Sequence, residues 1–114
     1  MITWKEVVAM ARDLPEVERG RSMSTPALNV RGKSFAWRRG TEGGLVLYCS
    51  LATKEALVTS GNPAYYTIPH HKGHGTIIVD LKHVEEDKLW GLLVESWRRK
   101  APASLRDKWD ESAR

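Results

Sequence analysis

The N-terminal segment has the hydrophobic pattern of an amphipathic helix. Thr3 and Glu6 have the spacing of a capping box, in which the threonine hydroxyl accepts a hydrogen bond from the glutamate amide and the glutamate side chain reaches back. Apolar residues then recur at helical spacing from Trp4 to Leu14, and Pro15 ends the run. We therefore predict a first helix that begins after Thr3 and ends near Leu14.

Between Arg19 and Cys49 the apolar period changes to two, which is typical of β-strands. The residues predicted to share a strand face are Leu28 with Val30, Phe35 with Trp37, and Leu45 with Leu47 and Cys49. Between the first two strands, Gly32 can adopt the positive φ of a tight turn, so Arg31-Gly32-Lys33 predicts a β-hairpin. We expect Trp37 to lie in the core. The alternative is an outward-facing Trp37 that stacks on a ligand.

The rest of the chain alternates helical and extended segments. A short helix is predicted over 53–60, an extended piece over 65–68, and a β-branched strand over 76–81. A long helix follows over 84–99, and a last short helix holds Leu105 and Trp109. The predicted fold class is α+β, an antiparallel sheet with helices packed on one face, in a single domain over 1–114. The residues expected to pack together against the sheet are Trp4, Val8, Leu89, Leu93 and Trp97.

Positive charge is concentrated in the predicted hairpin. Between Arg19 and Thr41 the chain has six of its 18 Lys and Arg residues and none of its 14 Asp and Glu residues. Charge confined to one surface produces a local field that attracts phosphate. On the sequence alone no neighbouring carboxylate neutralises it, although the charges can also simply keep a sheet face solvated. The candidate phosphate-binding residues are Arg31, Lys33, Arg38 and Arg39.

A second acid-free segment contains residues 69–75, which are rich in histidine and glycine. Its candidate anion-binding residues are His70, His71, Lys72 and His74. Three histidines also raise the question of a metal site. The surrounding proline and glycines disfavour a helix that would align the imidazoles, and the nearest carboxylate in sequence is Asp80. We predict no metal and no cofactor, and a loop that forms a second positive surface beside the hairpin.

No residue pattern indicates catalysis. Cys49 is the only cysteine and ends an apolar strand, so we interpret it as a core residue and exclude an intramolecular disulfide. No apolar run approaches the ~18 residues of a membrane span, and the N-terminus lacks the features of a signal peptide. We therefore expect a non-enzymatic, cytoplasmic protein that is monomeric and has no membrane partner.

Two stretches of sequence, residues 24–36 (Ser-Thr-Pro-Ala-Leu-Asn-Val-Arg-Gly-Lys-Ser-Phe-Ala) and 67–75 (Thr-Ile-Pro-His-His-Lys-Gly-His-Gly), resemble the MmcQ/YjbR family of small bacterial proteins. The segments 14–18 and 97–102 fit the same family, so the likeness covers nearly the whole chain. The resemblance implies a two-layer fold similar to frataxin and its bacterial relative CyaY, and a double-wing mode of DNA binding. Frataxins hold iron on an acidic first helix, whereas the first helix here has only Glu6 and Asp13, so no iron role is expected.

These observations favour a DNA-binding module that contacts the phosphate backbone through the basic hairpin and the His/Lys/Gly loop. The alternative is a small-molecule or anion-binding protein that uses the 69–76 loop as a pocket. A protein-interaction partner with no role for polyanions is a third possibility. Salt dependence distinguishes the first hypothesis from the others, because phosphate contacts release counterions.

Overall fold

The computed structural model describes residues 1–22, 24–39, 43–71 and 73–112. The described α-helices are α1 (Trp4–Ala11), α2 (Leu51–Thr59), α3 (Glu86–Lys100) and α4 (Ala103–Ser112), and a short 3-10 helix covers Pro69–His71. The described strands are β1 (Val17–Ser22), β2 (Thr25–Val30), β3 (Lys33–Arg39), β4 (Gly44–Tyr48), β5 (Tyr65–Tyr66) and β6 (Thr76–Asp80). They form one antiparallel sheet in the order β1-β2-β3-β4-β6-β5, so the predicted α+β class is confirmed.

Helix α1 begins at the predicted capping box. The Glu6 amide donates to Thr3 Oγ1 at 3.2 Å, and the Thr3 amide donates to Glu6 Oε1 at 3.1 Å. The helix ends at Ala11, earlier than predicted, and Leu14 is buried in the turn that follows. Its first-turn polar residues therefore satisfy two amides that have no partner within the helix.

The helices cover one face of the sheet. Leu28, Ala36, Leu47 and Ile77 lie side by side across this face, because each pairs directly with the next in the strand register. The predicted helical core is confirmed, with Trp4 partly buried at its margin. The helical residues in the same cluster as this row include Val8, Leu89, Leu93, Trp97 and Leu105.

Helices α3 and α4 follow the predicted pattern of charges and breaks. Acidic residues lie in the first turn of α3 and basic residues in its last turn, where each opposes the partial charge of the helix end. Leu105 of α4 is buried, and Trp109 packs edge-on against Trp97 with their ring centroids 6.0 Å apart. None of the helices within the described ranges is long and apolar enough to cross a membrane.

Strand β1 was not predicted. It pairs with β2 along its whole length, from Val17 opposite Val30 to Ser22 opposite Thr25. Its sequence, Val-Glu-Arg-Gly-Arg-Ser, shows no apolar alternation, and none of its residues is fully buried. As the edge strand, β1 is held by main-chain hydrogen bonds to β2, and its side chains stay partly or fully exposed. Main-chain pairing, rather than hydrophobic period, defines β1.

The prediction that Phe35 and Trp37 share a face is wrong. Ser34 pairs with Asn29 and Ala36 with Leu28, so Phe35 is an extra residue in β3, a β-bulge. The bulge puts Phe35 in the core between sheet and helices and leaves Trp37 on the opposite face, outside that core. The buried Ser96 hydroxyl of α3 bridges the disrupted ladder: it donates to the Phe35 carbonyl and accepts from the Tyr48 amide at 2.9 Å.

The hairpin between β2 and β3 is confirmed. Arg31 and Gly32 have φ values of 50° and 80°. Positive φ at both central residues is the pattern of a type I′ turn, whose twist matches that of the strands it joins. Glycine adopts this geometry without strain, whereas Arg31 does so as a non-glycine residue.

Candidate functional site

The face of the sheet opposite the four described α-helices, which we call the helix-free face, contains an open cleft of about 630 Å³. The cleft is lined by residues from both sequence-predicted segments, Arg38 and Arg39 of β3 and His71 and His74 of residues 69–75. Trp37 and Tyr48 lie between these two groups in the lining. The fold therefore brings together candidates that are more than thirty residues apart in sequence.

Two aromatic residues, Trp37 and Tyr48, line the cleft side by side. Trp37 and Tyr48 pack edge to face, with ring centroids 5.4 Å apart and an interplanar angle of 62°. Lys100, at the end of α3, holds its ammonium nitrogen 4.1 Å from the Tyr48 ring centroid. This cation–π contact adds a positive charge next to the aromatic pair.

The histidine loop, residues 69–75, is held in place by a buried lysine. Lys54 of α2 is only 7% exposed, and its ammonium group donates to the carbonyls of His71 at 2.5 Å and His74 at 2.7 Å. Gly75 packs so closely on Cys49 that an added Cβ would lie 2.8 Å from the Cys49 carbonyl oxygen. Both contacts fix the main chain of the loop, one against α2 and the other against the residue that follows β4.

One residue in the wall of the cleft has a buried hydroxyl without a partner among the described residues. Thr76 opens β6 and lines the cleft, and it is 8% exposed. Its Oγ1 has no hydrogen-bond partner among the described residues. Leaving a buried hydroxyl unsatisfied costs free energy, so such a group is unusual outside a binding or strained site.

The four hairpin cations do not form one surface. Arg39 lines the cleft on the same face as Trp37, because the two residues are two positions apart on a strand. Arg38 pairs directly with Leu45, so it alternates with Arg39 along β3, and it borders both the cleft and a smaller cavity with Ile2 and Trp4. Lys33 is exposed at the turn. The expectation of a continuous basic hairpin is therefore corrected by strand alternation.

The expectation that Arg31 has no neighbouring carboxylate is also wrong. Arg31 Nε donates to Glu16 Oε1 at 2.6 Å, and Arg31 Nη2 donates to Glu16 Oε2 at 2.9 Å. The hydrogen bond to Arg31 lowers the pKa of Glu16 below its usual 4.5, and the same bond raises the pKa of Arg31. The charge of Arg31 is therefore balanced by a residue that lies before β1.

Of the loop candidates, His71 and His74 line the cleft, with His74 exposed and His71 half-buried. Lys72 and the side chain of His70 lie outside the described residues. Among the side chains that the structure describes, no three of the types His, Cys, Asp and Glu are close enough together to hold a metal ion.

Sequence reasoning missed Tyr48, Thr76 and Lys54. Tyr48 and Thr76 continue the outward-facing alternation of β4 and β6 and pair directly with each other, so the strand period could have identified them. Lys54 had no such signal, because its burial depends on carbonyls contributed by a loop well after it in sequence.

Comparisons with known proteins agree with this fold. A crystal structure of the Deinococcus radiodurans protein DR2400, with the family-model domain DUF419, is similar with a TM-score of 0.72 at 21% identity, over 85% of this chain and 77% of that chain. A search of curated proteins gave no match. The family model described as YjbR matches residues 12–99, which is well over half of the sequence. The chain therefore belongs to the YjbR family.

Proposed function

We propose that this chain is a non-enzymatic, cytoplasmic DNA-binding protein that contacts DNA as a monomer through the cleft and the histidine loop. The observation that carries the proposal is the composition of the cleft lining. It contains Arg39, His71 and His74 but no carboxylate from the described residues. The Arg39 guanidinium attracts phosphate and gives salt-dependent binding, and the histidine side chains add hydrogen-bonding groups beside it.

The positions of the turn and the loop support a contact with two projecting segments. The loop leads into Thr76, which pairs with Tyr48 at the end of β4. Tyr48 adjoins the Phe35 bulge, a few residues from the exposed turn at Lys33. Turn and loop thus project from the same end of the sheet, with strands β3, β4 and β6 between them. This spacing favours one contact from the turn and one from the loop, on either side of a groove of the DNA.

The proposal is tested by the anisotropy of a fluorescently labelled DNA duplex. We expect a dissociation constant on the order of 10⁻⁴ to 10⁻⁶ M at physiological salt, weakening as salt rises. Arg39→Gln removes a cation from the cleft and weakens binding. Arg12→Gln is the matched control, because Arg12 is exposed at the end of α1 on the helix layer. The proposal fails if binding at low ionic strength is undetectable, or if both variants bind alike.

A small anionic ligand is the second candidate, and the buried Thr76 hydroxyl favours it. A cleft of about 630 Å³ has the size of a small-molecule site, and a ligand group could satisfy the Thr76 oxygen. Such binding depends much less on salt than a contact with many phosphates. A saturable small-molecule interaction with no DNA binding would favour this candidate.

A further inference from the structure

Trp37, which lines the cleft, belongs to a row of residues that crosses the helix-free face. The strand register places Ala27, Trp37, Val46 and Ile78 next to one another. Ala27, Val46 and Ile78 are at most 1% exposed, whereas the Trp37 ring is half-buried. Of this row only Trp37 lines the cleft, and it does so next to the ring of Tyr48.

An aromatic pair in this arrangement can accept a third ring. An edge-to-face pair leaves at least one face of each ring outside the pair. Stacking of a nucleobase on such a face is a common way to bind unpaired nucleotides, because every base has a π-face. In a duplex the bases are already stacked on each other, and their faces are not accessible.

The polar groups of the cleft complement the rest of a nucleotide. Arg39 and His74 supply cationic or hydrogen-bonding groups for a phosphate, and the described lining has no carboxylate to repel it. The buried Thr76 Oγ1 can donate to or accept from the polar edge of a base. Stacking surface, phosphate attraction and an unsatisfied hydroxyl thus occur in one cleft.

We propose that the cleft binds an unpaired nucleotide of single-stranded DNA, with the base stacked on Trp37 and its polar edge hydrogen-bonded to Thr76. This inference rests on the proposed function, since it names the form of DNA that the cleft takes. A free nucleoside monophosphate shares the same chemistry and is distinguished below.

The test compares a labelled oligothymidine with a duplex of the same length by anisotropy, and uses thymidine monophosphate as a competitor. We expect the single strand to bind about ten-fold more tightly than the duplex, and Trp37→Ala to remove this advantage. Trp37→Phe keeps an aromatic ring and should retain most of the preference for the single strand over the duplex. Thr76→Val is nearly isosteric, and it weakens single-strand binding without lowering the unfolding temperature, because the lost hydroxyl has no partner among the described residues of the free protein.

The outcomes separate the two proposals. Equal binding of single strand and duplex, unaffected by Trp37→Ala, overturns this inference and leaves the proposed function intact. Absence of binding to either DNA overturns both. Thymidine monophosphate that binds as tightly as the oligonucleotide assigns the cleft to a free nucleotide and overturns the assignment to DNA. If Trp37→Ala lowers the unfolding temperature, Thr76→Val decides the question, and unchanged single-strand binding in that variant overturns the inference.

Discussion

Arg31 and Glu16 are joined by two parallel hydrogen bonds, and both residues have left-handed backbone geometry, with φ values of 50° and 55°. Residues other than glycine seldom adopt positive φ, and Asn and Asp do so most readily. The ion pair connects the β2–β3 turn to the segment between α1 and β1. The ion pair thus joins two residues whose positive φ values are locally unfavourable.

Replacing Arg31 separates the contribution of the ion pair from that of the backbone. Arg31→Gln and Arg31→Asn both lose the pair with Glu16, but asparagine before Gly32 suits a type I′ turn. We therefore expect the asparagine variant to unfold at the higher temperature of the two. Thermal denaturation followed by circular dichroism measures this, and a more stable Arg31→Gln would contradict the strain argument.

Truncation of Leu93 tests the packing of the helix layer on the sheet. Leu93 is fully buried in the core cluster, and Leu93→Ala should lower the free energy of unfolding by about 2–5 kcal/mol. Leu51 is 59% exposed, so Leu51→Ala is a matched control that should change it by less than about 0.5 kcal/mol. Chemical denaturation of both variants gives the comparison. Similar losses in the two would rule out this account of the core.

Lys54→Met tests the support of the histidine loop. Methionine retains the apolar stem but leaves the His71 and His74 carbonyls without their donor, at a cost on the order of 2–3 kcal/mol. Hydrogen exchange of the amides in residues 71–76 should accelerate while exchange in β3 and β4 changes little. Lys88→Met, at an exposed position of α3, should have neither effect. Unchanged exchange in the loop would show that Lys54 does not position it.

Cys49 should be protected from thiol reagents. Burial raises the pKa of its thiol above the usual 9.0, and the negative charge of Glu95 raises it further. Because the thiolate is the reactive form, modification at pH 8 should be slow in the native protein and fast in urea. A raised folded-state pKa also means that this group's stabilising contribution is present below pH 9.0 and declines as the pH rises through the folded-state value. Equal rates with and without urea would contradict the burial.

Local pattern was sufficient to predict most of the fold. The capping box at Thr3 and the stripe on α3 are set by residues within a few positions of each other, so sequence spacing reveals them. The family resemblance, based mainly on 24–36 and 67–75, is confirmed by the YjbR family model. Strand β1 escaped prediction because main-chain pairing at a sheet edge leaves no hydrophobic period.

The candidate site was predictable only in part. The sequence identified Arg39, His71 and His74, which line the cleft. It could not reveal that Glu16 balances Arg31, because the two are fifteen residues apart and meet only through the turn geometry. The bulge at Phe35 reversed the faces expected for the rest of β3, and a single inserted residue has no signature in an alternating pattern.

The Ser96 hydroxyl joins the two layers of the molecule through the sheet. It belongs to the helix layer, yet it holds the main chain of Tyr48, whose ring lines the cleft on the far side. Ser96→Ala would leave both the Phe35 carbonyl and the Tyr48 amide unsatisfied in a buried place. A mutational screen for lost ligand binding should consequently recover Ser96 together with the cleft residues, although no ligand in the cleft touches it. A parallel measurement of the free energy of unfolding would distinguish Ser96 from the residues that contact the ligand directly.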